Sequence, residues 1–165
     1  MEIRIATVTD LPAIVKIHNQ AIRARNKTGN LDEFTVGQRK KWFETHLNQK
    51  YTILVALENN VVVGYASISP YREGRTAFLN TAELSYYVDF GHHKKGIGTQ
   101  LVKESFQYAI NNGIKVLVCI LLSVNKVSIK LLEKNGFSLW GTMPNAAEID
   151  SQKMDHLYFG REINQ

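Results

Sequence analysis

Hydrophobic and polar positions along this chain follow strand and helix periods in turn. IRIAT (3–7) reads as an opening strand. Leu11, Ile14, Val15, His18, Ala21 and Ile22 then recur at helical spacing, with Asp10 as the expected N-cap and Pro12 in the first turn. Residues 26–34 are polar and loop-like. Thr35 and Gln38 make a capping-box pattern ahead of a helix that includes Trp42, Phe43 and Leu47. YTILVALENNVVVGYASIS (51–69) is two β-rich runs around Glu58-Asn59-Asn60, the pattern of a hairpin.

A loop with Arg72, Gly74 and Arg75 leads into TAELSYYVD (81–89), another strand. The next helix (97–111) places Val102, Phe106, Ala109 and Ile110 on one face and stops at Asn112-Gly113. VLVCILLSV (116–124) is apolar on successive residues, as a strand covered on both faces would be. A short helix (126–135) ends at Asn135-Gly136, and FSLWGTM (137–143) and HLYFGREI (156–163) are two closing strands.

The predicted order is β, α, α, β, β, β, α, β, α, β, β. The helix between strands 83–89 and 116–124 makes those strands parallel if adjacent. The expected class is α/β: a mixed, mostly antiparallel sheet of about seven strands with helices on both faces and one strand-helix-strand crossover. It is not a repeating doubly wound fold.

Composition narrows the class. The 165 residues suit one domain spanning 1–165, and 44% hydrophobic with 21% charged residues is ordinary for a folded protein. No apolar run reaches the roughly 18 residues that cross a bilayer, and MEIRIATVTD lacks a signal-peptide layout. A single cysteine, Cys119, mid-strand among apolar residues, reads as a core thiol without a disulfide partner. A cytoplasmic setting is expected. The formal charge of +5 favours an anionic partner, but the basic residues are scattered and form no tail for nucleic acid.

Candidate chemistry concentrates in HHKKGIG (92–98), at a strand-to-helix junction. Four readings present themselves: a metal site, a nucleic-acid contact, a phosphate cradle or a charged turn. His92 and His93, adjacent in sequence, cannot both face one ion, and no HxxxH or CxxC spacing accompanies them. Neither G-x-x-x-x-G-K-[ST] nor G-x-G-x-x-G is present, because residue 101 is Leu101. A helix opening after glycines does offer free N–H groups and a positive dipole end to an anion. By itself the turn leaves an anion cradle and an ordinary turn open.

ELSYYVDFGHHKKGIGTQLV, followed by VNKVSIKLLEKNGF (124–137), resembles the GNAT superfamily of acyl-CoA N-acetyltransferases. The shared marks are Gly-x-Gly at the strand-to-helix turn, then Asn125, Ser128 and the pair Gly136-Phe137. Asn19, Phe34-Thr35, Gly64-Tyr65-Ala66 and Arg75 ahead of Glu83 resemble the phosphinothricin or amino-acid N-acetyltransferase branch. Two departures stand in the turn: His93 replaces the usual Arg or Gln, and Lys94 a common glycine.

The resemblance implies the GNAT fold, acetyl-CoA as co-substrate, no metal, and direct attack by an amine in a ternary complex. It assigns the cofactor to Tyr86, Tyr87 and Val88 through their backbone, to His93, Lys94, Lys95, Gly96, Ile97, Gly98 and Thr99 at the pyrophosphate, and to Asn125 and Ser128. Asn125 can cap helix 126–135 as well. Glu83 is the implied general base, the alternative being a solvent-facing carboxylate paired to a lysine. Arg72 and Arg75 suit an acceptor carboxylate, and Phe34 is placed over the acceptor pocket. The tyrosine that many relatives use to protonate the thiolate is Leu132 here, so another group serves or the thiolate leaves unassisted.

The expected partner is a small amine of amino-acid type, with no nucleic acid, no membrane and a homodimer from family likeness. Two rival readings are acetylation of a protein or peptide amine, which needs an open groove, and a CoA-binding sensor without turnover. The ending WGTMPNAAEIDSQKMDHLYFGREI departs from the narrower branch and weighs against phosphinothricin itself.

Overall fold

The computed structural model describes residues 1–47 and 50–163. Its elements are β1 (Glu2–Ile5), α1 (Leu11–Arg23), α2 (Val36–Glu44), β2 (Thr52–Glu58), β3 (Val61–Pro70), β4 (Thr81–Val88), α3 (Ile97–Asn111), β5 (Val116–Leu122), α4 (Lys126–Lys134), β6 (Ser138–Ile149) and β7 (Gln152–Glu162). That is the expected order. One seven-stranded sheet runs β1-β2-β3-β4-β5-β7-β6. The β4–β5 pair, joined through α3, is parallel, and the other pairs are antiparallel.

Two apolar layers hold the helices to the sheet. Leu84, Leu101, Leu117, Phe137 and Phe159 belong to the layer under α3 and α4. Leu11, Ile14, Phe43, Val55 and Tyr65 form the layer under α1 and α2. Each such side chain removed from water contributes about 1.5–3 kcal/mol. Cys119 is buried in the first layer, as its apolar context predicts. Gly64 on β3 lets α3 settle close: a Cβ there would stand 3.1 Å from Ile97 and 3.2 Å from Leu101.

The β2–β3 hairpin turns through Asn59 and Asn60, both at positive φ, a conformation asparagine tolerates. At α2, Thr35 and Gln38 form the predicted reciprocal cap, with Gln38 N–H donating to Thr35 Oγ1 at 3.2 Å. The helix stops at Glu44, so Leu47 lies outside it and is exposed.

Two further expectations are corrected. Asp10 does not cap α1 with its side chain. Its buried carboxylate instead accepts two hydrogen bonds from Arg4, at 2.7 and 2.9 Å, and one from Thr7 N–H at 2.7 Å. The closing strands are also longer than their apolar runs. β6 and β7 continue through polar residues because hairpin pairing carries them, with a turn at Asp150 and Ser151. Ile149 and Met154 bury a small cluster with Leu122 at that end. Where β6 shifts register, Trp140 lies over Gly160, so tightly that a Cβ on Gly160 would overlap the indole.

The Arg4 hydrogen bonds are the main reason the Asp10 carboxyl sits below its usual pKa, against the opposing effect of burial. A depressed carboxyl stabilises the fold fully above its unfolded value, about 3.9, and the contribution disappears as pH falls through the folded value. Asp10→Asn is therefore expected to cost about 1–3 kcal/mol at pH 7. Denaturant unfolding should show that deficit shrinking as the pH is lowered below 4. A deficit independent of pH would show that the carboxylate's charge is irrelevant.

Candidate functional site

β4 and β5 share three rungs, Thr81–Val116, Ala82–Leu117 and Glu83–Val118, and then part. β4 stays on β3 through Val88, and β5 stays on β7 through Leu122. Beyond Glu83, the edge of β4 that faces β5 has no ladder partner. On that edge the backbone N–H and C=O of Tyr86 and the N–H of Val88 face the wedge and can meet an extended ligand. The wedge holds a cavity of ≈ 40 Å³ lined in part by Lys27, Tyr86, Cys119, Asn125, Ser128 and Leu132.

The turn after β4 closes one end of the wedge. The first α-helical bond of α3 runs from Gln100 N–H to Gly96 C=O at 3.1 Å, so the N–H groups of Ile97, Gly98 and Thr99 precede it. With the helix dipole they form an anion seat. The glycines serve different ends. Gly96 supplies φ +80° at the cap, whereas Gly98 is packed: a Cβ there would stand 2.9 Å from Leu131. Lys94 adopts φ +62°, the left-handed conformation that a glycine would enter without strain.

The turn is braced on two sides. Asp89 accepts from Gly91 N–H at 2.9 Å, from His92 Nδ1 at 2.9 Å and from Gln20 Nε2 at 2.8 Å. Gln20 Oε1 in turn accepts Phe90 N–H at 3.0 Å. On the other side Lys95 Nζ donates to Glu58 at 2.9 Å, so its ammonium points to the β2–β3 hairpin. His93 Nε2 donates to Val88 C=O at 3.1 Å.

Across the wedge, Asn125 is buried and caps α4, accepting from Ser128 N–H at 3.4 Å and from Lys27 Nζ at 3.3 Å. Tyr86 points to the same side, and its hydroxyl donates to Ser128 C=O at 3.5 Å. Burial raises the Tyr86 pKa, which keeps the phenol protonated. Leu132 is fully buried, a packing residue.

Glu83, Tyr87 and the β3 residue Ser69 face the α1/α2 side. Glu83 is half-buried, and among the described residues no lysine or arginine pairs with it. Burial raises its pKa, with a hydrogen bond from Ser85 opposing. Ser69, in register with Glu83, lies 2.8 Å from His46 Nε2 through its hydroxyl. Phe34 is fixed from α1: Asn19 Nδ2 donates to its C=O at 2.9 Å and Asn19 Oδ1 accepts its N–H at 3.0 Å. Tyr65 and Tyr87 stack at 5.3 Å, and His18 Nδ1 lies 2.7 Å from Tyr65 Oη.

Arg72 and Arg75 meet this group only at its Ser69 and His46 edge. Both are exposed in the 71–80 loop and line a second cleft of ≈ 510 Å³ with Trp42, His46 and Ser69. Sequence reasoning passed over Arg39, which lies against the Phe34 and Trp42 rings, and Lys27. The signal for Arg39 was its i, i+3 spacing to Trp42 on a helix. Lys27 carried none, because Asn125 is remote in sequence.

Residues 13–137 match the acetyltransferase (GNAT) family. An L-methionine sulfoximine/L-methionine sulfone acetyltransferase of Pseudomonas aeruginosa is 37% identical over 149 residues, covering 88% of this chain and 85% of that protein. The L-amino acid N-acyltransferase MnaT of Escherichia coli is 31% identical over 165 residues, 100% of this chain and 95% of its own. Among solved structures, a phosphinothricin acetyltransferase of Sinorhizobium meliloti in complex with AcCoA superposes with a TM-score of 0.94 at 26% identity, covering 99% and 88% of the two chains.

The turn's two special positions should respond oppositely to substitution. Lys94→Gly is expected to stabilise the fold by about 0.5–1 kcal/mol by removing left-handed strain. Gly98→Ala is expected to cost about 1–3 kcal/mol through its clash with Leu131. Urea unfolding of the two variants checks both; effects of the same sign would contradict the geometry.

Proposed function

The chain belongs to the acetyltransferase (GNAT) family and is an acetyl-CoA-dependent N-acetyltransferase, and from that premise we propose that its acceptor is the primary amine of a small amino acid or analogue. The observation that carries this reading is Glu83, a half-buried carboxylate without a cationic partner at the last rung before the wedge. The names of relatives that act on L-amino acids and on methionine sulfoximine support it.

The residues present fit acetyl-CoA. The open edge of β4 can bond the amide-bearing arm in the manner of an added strand through the backbone of Tyr86 and the N–H of Val88. Tyr87, also expected there, directs its backbone to Tyr65 on β3, since Asp89 N–H, two residues on, bonds Val63 C=O. The N–H groups of Ile97, Gly98 and Thr99, with Lys94 and Gly96 beside them, can hold the pyrophosphate. Asn125 and Ser128 line the far wall. The cofactor supplies the acetyl group as an activated thioester.

In this proposal Glu83 takes a proton from the acceptor's ammonium, directly or through water, and frees the nitrogen lone pair to attack the thioester carbonyl. N–H groups on the free edge of β4 donate to the oxygen on which negative charge builds. The new C–N bond forms as the C–S bond breaks, and the sulfur leaves as a thiolate. A thiol with a pKa near 8.5 tolerates that departure unassisted, so a packing residue at Leu132 is acceptable. The wedge brings the two reactants together, and positioning supplies much of the rate gain. Phe34, pinned by Asn19, narrows the acceptor side and favours a small amine over a peptide.

A homodimer in the cytoplasm is part of the proposal. Among the described residues no helix is long and apolar enough to cross a membrane. Leu139, Trp140 and Met143 stand exposed on the outer strand β6, apolar area suited to a second copy. Light scattering should give twice the 18.7 kDa chain mass; a monomer at high micromolar concentration would remove the dimer.

Thiol release from acetyl-CoA with a panel of amino acids tests the activity. Glu83→Gln is expected to lower kcat about 10²–10⁴-fold with little change in the KM for acetyl-CoA. The wild-type rate should fall as pH drops through the raised Glu83 pKa, above the ordinary carboxylate range, and the variant should lose that limb. An unchanged kcat and pH profile would remove Glu83 as the base.

A further inference from the structure

One guanidinium on the α1/α2 face, that of Arg39, forms no ion pair among the described residues. Arg39, on α2, holds its Cζ 3.7 Å from the Trp42 ring centroid and 5.0 Å from that of Phe34. It is partly buried, and among the described residues no Asp or Glu forms an ion pair with it. Two aromatic faces offset only part of the cost of drawing a guanidinium out of water, and its five N–H donors have edge directions that rings do not fill.

The groups that surround Arg39 are uncharged. His18 and His46 have pKa values pushed down, chiefly by burial and further by the Arg39 charge, so both imidazoles are neutral at pH 7. Tyr65 and Tyr87 are protonated by burial. Glu83 on β4 is an acid of this same side that, among the described residues, forms no ion pair. A continuous set of contacts joins the two: Glu83 beside Ser69, Ser69 to His46 at 2.8 Å, His46 to Trp42 at 4.9 Å between rings, and Trp42 under Arg39. Tyr87 feels the charge of both. Arg39 and Glu83, each half-buried and without an ion pair among the described residues, thus lie on the same side as this neutral aromatic floor, an arrangement complementary to a zwitterion.

We propose that Arg39 is the specificity-determining residue that receives the acceptor's α-carboxylate, while the α-amine is directed to Glu83. This rests on the amino-acid acceptor reading above and names the group that enforces it. A planar guanidinium already held between two rings can accept a carboxylate bidentately with little further ordering. Arg72 and Arg75, exposed on the 71–80 loop along the cleft that Trp42, His46 and Ser69 also line, then act by long-range attraction, not by a fork.

The test is acceptor binding to the enzyme in the presence of CoA, by titration calorimetry, alongside turnover with acetyl-CoA. Methionine sulfone and its carboxamide are the paired probes, and wild type, Arg39→Lys, Arg39→Met and Arg75→Ala are the proteins. The wild type is expected to prefer the free acid by about 10- to 100-fold, the worth of charge-assisted hydrogen bonds. Arg39→Lys and Arg39→Met should reduce that preference to within about 3-fold, seen in KM and Kd more than in kcat, with carboxamide binding unchanged. Arg75→Ala should keep most of it. Arg39→Lys retains the charge, and its thermal unfolding reports whether the fold is intact. A full acid preference in folded Arg39→Lys overturns the inference, as does a preference lost in Arg75→Ala alone, or no acid preference in the wild type. Carboxylate binding that depends on Arg39 without any turnover would sustain it and overturn the amino acid as acetyl acceptor instead.

Discussion

The parting of β4 from β5 after three rungs is the constraint around which the rest of the molecule is arranged. Each strand remains fully paired on its other side, so the sheet stays continuous while a backbone edge opens in its middle. An unpaired strand edge is costly in a protein interior unless something meets it. The same opening places Glu83 at the wedge's inner end and the α3 N-terminus near its outer one. Cofactor and acceptor meet there because the ladder stops there.

Electrostatics are handled differently on the two sides of the sheet. On the cofactor side the charges of the turn are largely engaged: Lys95 with Glu58, His92 with Asp89, and Asp89 with Gln20. On the acceptor side Glu83 and Arg39 form no ion pair among the described residues and lie amid neutral rings. Structural ion pairs satisfy themselves within the protein, whereas groups waiting for a ligand cannot. Uncompensated charge on one face, with compensated charge on the other, separates what acts from what supports.

Much of this was legible in the sequence, and the reasons for the rest are local. The order of elements, the Asn59-Asn60 hairpin, the Thr35 cap and the parallel crossover followed from periodicity and turn chemistry. Residues 144–153, PNAAEIDSQK, lack period-2 alternation, and the strand pairs Ala147–Met154, Glu148–Lys153 and Ile149–Gln152 come from the β6–β7 hairpin and not from their own pattern. Asp10 had the composition of an N-cap, and only the nearness of β1 shows that Arg4 claims its carboxylate. Lys95 read as charge for a pyrophosphate because Glu58 lies far away in sequence. Arg39 was one member of a basic stretch, Arg39 to Lys41, and a stretch does not reveal which member turns inward.

The bracing of the turn at 89–95 has a consequence for how the cofactor is met. Gln20 ties it to α1 and Glu58 ties it to the β2–β3 hairpin, while His93 folds back onto Val88. The loop's freedom is therefore surrendered when the chain folds, not when a ligand arrives. Binding to such a seat needs no closure step. Substitutions at the hairpin tip, well away from the wedge, would loosen the grip on CoA by returning to the turn the disorder that folding removed.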